Sequence, residues 1–94
     1  MDRRSHIIYS HPASSDGYDF FYLHYFPGDH HLALRYSLNG KEHQEVSLAP
    51  VAMLDWLERQ AASQTEDPVL LRPWDRAAKV LRLRLREWTA QGRG

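Results

Sequence analysis

Tyr18-Asp19-Phe20-Phe21-Tyr22-Leu23-His24-Tyr25-Phe26 decides how this chain is read. The stretch holds six of the eight Tyr and Phe residues of the protein. Its length and its aromatic content mark it as a β-strand, and successive side chains of a strand point to opposite faces. Both faces are then apolar, and each calls for cover. A short chain has few elements with which to cover two faces. The face left over is the candidate contact surface.

Downstream, Pro27-Gly28-Asp29 breaks the strand and His31 to Leu38 alternates, with Leu32, Leu34, Tyr36 and Leu38 on one side and Ala33, Arg35 and Ser37 on the other. That period of two marks a half-buried strand. A tight loop at Gly28-Asp29 pairs Phe26 with His31, Leu23 with Leu34 and Phe21 with Tyr36. Phe21, Leu23, Tyr25, Leu32, Leu34 and Tyr36 then make the core face. Tyr18, Phe20, Tyr22, His24 and Phe26 make the outer face, beside His31, Ala33 and Arg35. Asn39-Gly40 is a hairpin signal. Lys41 to Leu48 forms the fourth strand, and its charges suit a sheet edge. A bulged turn at Gly40 keeps Val46 and Leu48 on the Leu-rich side, with Glu42 and Gln44 near the rim. Upstream, Ile7-Ile8-Tyr9 reads as a short strand, followed by turn chemistry from His11 to Gly17.

Beyond the fourth strand the period changes to that of helices. Pro50 suits a first helical turn, and Met53, Leu54, Leu57 and Ala61 make an apolar stripe with Trp56 at its margin. Ala62 to Pro68 reads as a polar linker and Val69-Leu70-Leu71 as a separate apolar piece. Pro73 then opens a second helix whose stripe is Trp74, Ala77, Ala78, Leu81, Leu85 and Trp88, with Gly92 as its stop. The order is β-β-β-β-α-α. The expectation is one α+β domain over residues 1–94: a four-stranded antiparallel meander with two C-terminal helices packed on one face.

Composition bounds the function. The chain has 94 residues, 12 Lys plus Arg and 12 Asp plus Glu, so its formal charge is zero with histidine neutral. That balance argues against wholesale electrostatic binding of nucleic acid or membrane, while leaving room for a local basic patch. There is no cysteine, hence no disulfide, thiol nucleophile or thiolate metal site. No apolar run approaches the length of a membrane span, and Ile7-Ile8-Tyr9 is too short for a signal-peptide core. A cytoplasmic protein is expected.

The motifs of chemistry do not occur: no nucleophile elbow, phosphate-binding loop, dinucleotide fingerprint or zinc-protease signature is present. His24 and His31 approach each other across the hairpin, but no HxH or HxxxH spacing completes a metal set. The sequence therefore points to a non-enzymatic protein with no cofactor, no metal and no small-molecule substrate.

Two surfaces remain. Tyr18, Phe20, Tyr22, His24 and Arg35 form a protein-binding face of the residue types enriched at interface cores. Its partner is another protein or a second copy of the chain in a homodimer. Single domains of this size and shape serve as adaptors, or as bacterial and phage inhibitors of larger complexes, an association of size and class alone. On the second helix, Arg72, Arg76, Lys79, Arg82 and Arg86 cluster opposite the apolar stripe around Leu83, as a docking surface for an acidic partner or a phosphate backbone would, with Leu83 as an apolar contact inside the charge ring. The alternative function is a nucleic-acid-binding module using that basic face, or the sheet aromatics as a stacking platform.

Overall fold

The structure, a computed structural model, describes residues 4–11, 20–37, 43–63 and 68–92. Four strands precede two helices: β1 (His6–His11), β2 (Phe20–Phe26), β3 (His31–Ser37), β4 (Gln44–Leu48), α1 (Pro50–Ser63) and α2 (Pro68–Ala90). The strands form one antiparallel sheet in the order β1-β2-β3-β4. The chain divides into two compact units, Met1–Ala49 with the sheet and Pro50–Gly94 with the helices. The α+β class, the meander and the element order are those read from the sequence.

In the sheet unit, the β2–β3 register pairs Phe26 with His31, Leu23 with Leu34 and Phe21 with Tyr36. Partners directly opposite share a face, so the Leu-rich alternation of β3 fixes the face of β2. Phe21, Leu23, Leu32 and Leu34 are fully buried and Tyr25 nearly so. A turn closed by His30 N–H donating to the Pro27 carbonyl at 3.3 Å joins the two strands. His30 itself, the last of the four residues between the paired Phe26 and His31, stands at φ 48°, in the left-handed region. The Tyr25 hydroxyl and His30 Nδ1, 2.7 Å apart, form a hydrogen bond that holds the ring there.

β4 pairs Leu48 with Leu32, Val46 with Leu34 and Gln44 with Tyr36, which puts Val46 and Leu48 on the Leu-rich side. This is the register expected of β4 from the sequence; the Asn39-Gly40 turn and Glu42 lie outside the described residues. β1 is longer than Ile7-Ile8-Tyr9 and carries an irregularity between Ile7 and Tyr9. A strand with one extra residue changes which side chains face which way, as a β-bulge does. Ile7 and Ser10 consequently sit opposite His24 and Tyr22, while His6, Tyr9 and His11 sit opposite Tyr25, Leu23 and Phe21.

In the helical unit, α1 starts at Pro50 and buries Met53 and Leu57. Trp56 meets Trp74 of α2 edge-on, with centroids 5.5 Å apart. α2 buries Trp74, Ala77, Ala78, Leu81 and Trp88. Its start corrects the sequence reading. Residues 69–71 are not a separate piece and Pro73 does not open the helix; α2 begins at Pro68 and Pro73 lies inside it. Proline lacks an amide proton and so removes one helical hydrogen bond, which is why a proline in a sequence reads as a boundary. Here Pro73 is fully buried, so packing of its ring compensates for the missing bond. Gly92, at φ 83°, ends the helix as expected, its N–H donating to the Thr89 carbonyl at 3.0 Å.

A candidate protein-binding face on the sheet

Alternation along β2 and β3 places Phe20, Tyr22, His24 and Phe26 on the face away from the Leu-rich side, together with His31, Ala33, Arg35 and Ser37. These side chains pack on one another. Phe20 stacks on Tyr22 at 5.7 Å, and Tyr22 meets the His24 ring at 6.4 Å, edge-on. Phe26 stacks flat on His31 across the hairpin, with centroids 4.7 Å apart and planes 2° from parallel. Each such pair contributes about 0.5–1.5 kcal/mol beyond the area it buries. The ladder explains why Ala33, on the outer face, is only 6% exposed.

The ladder leaves apolar surface in contact with water. Tyr22 is 37% exposed and Ile7, which pairs with His24, is 51% exposed. Arg35 stands opposite Tyr22 and reaches toward β4. Its Nε lies 3.7 Å from Glu45 Oε2 and donates to His43 Nε2 at 3.4 Å. The ion pair is half-exposed and worth little stability by itself, but it turns the guanidinium toward Glu45 and His43. His43 also meets Phe20 edge-on at 5.4 Å. At the other end of the face, a concavity of about 250 Å³ is lined by Arg4, Phe26, Asp29, His31, Glu45 and Ser47.

His24 is the perturbed group of this face. Burial pushes its pKa below the usual 6.5, the Arg35 guanidinium pushes the same way, and Glu45 opposes them. Its Nε2 is buried and has no hydrogen-bond partner among the described residues. Burial and the neighbouring Arg35 both favour the neutral form of this ring, because each makes a positive charge there more costly.

The structure brings together Phe20, Tyr22, His24 and Arg35, four of the five residues assigned to this face from sequence; Tyr18 lies outside the described residues. Two members escaped the sequence reading. Ile7 joins because of the irregularity in β1, and no sequence signal marks it. His43 joins from just before β4, where it lies against Arg35 and Phe20; its signal is its position one residue before Gln44, on the alternation opposite Val46 and Leu48.

The basic residues of α2 form a separate surface within the helical unit. Arg72, Arg76, Lys79, Arg82, Leu83 and Arg86 are all exposed. Lys79 pairs with Asp75 at 3.1 Å, and Arg82 donates to Glu58 of α1 at 2.8 Å. Among the described residues no group of three or more His, Cys, Asp or Glu side chains could hold a metal ion, and no helix is long and apolar enough to cross a membrane. Comparison with protein-family models, curated proteins and solved structures finds no match, so the functional argument rests on these two surfaces.

Proposed function

We propose that this chain is a non-enzymatic protein-interaction module whose contact surface is the outer face of the sheet, and that it serves as an adaptor or as an inhibitor of a larger complex. The observation that carries this reading is the aromatic ladder of Phe20, Tyr22 and His24, closed by Arg35 on one side and left open at Tyr22 and Ile7. Rings already stacked on a rigid sheet lose little conformational freedom on binding. Large aromatic groups with an arginine beside them are the groups that carry most of the energy in protein interfaces. The partner is another protein or a second copy of the chain, and the cytosol is the compartment this reading assigns.

The test uses the whole chain as bait, with a Phe20→Ser, Tyr22→Ser double variant as its control. Both positions lie on the outer face, so the variant is expected to keep its fold, checked by circular dichroism and by melting temperature. Proteins retained by the parent and lost by the folded variant, or a self-association lost in the same way, are the expected result. Retention of the same proteins by both baits, together with an unchanged solution mass, would reject the sheet face.

A further inference from the structure

The second surface has a geometry of its own. At about 100° per residue, Arg72, Arg76, Lys79, Leu83 and Arg86 all fall within roughly 40° of one line along α2. That line runs opposite the buried Trp74, Ala77, Ala78, Leu81 and Trp88. From Arg72 to Arg86 it is about 21 Å long at the helical rise. Arg82 stands on the flank of the stripe, turned to Glu58 of α1. Lys79 is held by Asp75, whereas Arg72, Arg76 and Arg86 have no ionic partner among the described residues. In the middle of these cations Leu83 is 58% exposed. It lines a shallow depression of about 200 Å³ with Lys79, Arg82 and Arg86.

We propose that this stripe is a second docking surface, and that its occupant is an acidic segment of a partner protein carrying an apolar side chain that seats on Leu83. The inference is independent of the reading of the sheet face. Charge sets the sign of the occupant: over Pro68–Ala90 the helix carries six basic residues against two acidic ones, in a chain that is neutral overall. Leu83 decides between the two kinds of anion. A phosphate backbone needs cations and hydrogen-bond donors, and an exposed leucine gives it nothing. An acidic peptide with an apolar anchor uses both, placing its ion pairs at the rim and its apolar contact at the centre. That is how protein interfaces are arranged. The spacing of 3 and 4 residues along the stripe suits an amphipathic helix laid along α2.

The experiment measures binding to the full chain by fluorescence anisotropy. The first probe is a labelled peptide of about 15 residues, enough to run the length of the stripe, with Glu on its charged positions and Leu at helical spacing. The second is the same peptide with Ser in place of Leu, and the third is a duplex DNA. The Glu/Leu peptide should bind, and Leu83→Ser should weaken it at least tenfold while leaving the melting temperature unchanged. The Glu/Ser peptide should bind the parent about as weakly as the Glu/Leu peptide binds the Leu83→Ser variant. Arg76→Ser and Arg86→Ser should weaken binding and flatten its salt dependence. Tight binding of the duplex that ignores Leu83→Ser would overturn the proposal in favour of a phosphate-binding surface. Failure of the Glu/Leu peptide to bind the parent would return the stripe to an ordinary solvated face. A self-association lost on Leu83→Ser, with no peptide binding, would give the site to a second copy of the chain.

Discussion

Two histidines show what single residues contribute and how far each can be read from sequence. His30 takes the left-handed position of the β2–β3 turn, at φ 48°, although Gly28 stands two residues earlier. A non-glycine residue pays about 1–2 kcal/mol for that conformation, and the hydrogen bond to Tyr25 returns about the same order. Turn chemistry was visible in Pro27-Gly28-Asp29; which residue bears the strain was not, because the bond that holds it comes from a strand five residues away. His24 has a consequence for pH. Its folded pKa is depressed, mainly by burial and then by Arg35, so in the unfolded chain it binds protons at a higher pH than in the folded one. The stability this group contributes is therefore complete above about pH 6.5, the unfolded value, and is lost as pH falls through the folded value. Denaturant midpoints measured from pH 7 downward should fall more steeply in the parent than in His24→Phe, a ring that cannot ionise. Parallel curves would mean that His24 is solvated well enough to carry a charge in the folded state.

At the scale of elements, the hairpin was legible and the ends of elements were not. Leu32, Leu34 and Tyr36 alternate with Ala33 and Arg35, and that period alone fixes the register, because a slip by one residue would expose every leucine. Neighbouring positions of β3 therefore differ sharply in cost. Leu34→Ala opens a cavity at a fully buried site and should destabilise the fold by about 2–5 kcal/mol. Arg35→Ala, on the exposed side of the same strand, should stay within about 0.5 kcal/mol, its half-exposed pair with Glu45 contributing little. Urea melts of the two variants check the assignment, and comparable losses at both positions would contradict the alternation. The irregularity of β1 and the start of α2 escaped the sequence for a shared reason. Each is set by packing rather than by local preference: Ile7 is turned outward by an extra residue in the ladder, and Pro73 is kept in a helix by burial of its ring. The outer face was thus readable where it rests on alternation, at Phe20, Tyr22, His24 and Arg35. It was not readable where it rests on an irregular ladder, at Ile7, or on a loop approach, at His43.

For the whole molecule the zero net charge conceals a separation along the chain. Residues 68–94 hold seven of the 12 basic residues, and residues 1–67 hold ten of the 12 acidic ones. The two candidate surfaces consequently obey different physics. Contacts to the cations of α2 are screened within about 10 Å at 0.1 M salt, so anything bound there should weaken as salt rises. Contacts among the rings of Phe20, Tyr22 and Phe26 depend on the removal of apolar surface from water, which salt does not weaken. Self-association separates the two. With no foreign partner present, the outer face of the sheet is expected to close on a second copy of itself, because that burial recovers the exposed area of Tyr22 and Ile7 in both copies at once. Light scattering at low and high salt should then give a dimer whose mass is the same in both buffers and which Phe20→Ser converts to a monomer. A dimer that forms in low salt, dissolves in high salt and ignores Phe20→Ser would have the opposite cause. The basic stripe of α2 in one copy would then be pairing with acidic residues of the other, and the aromatic face would be left for a different protein.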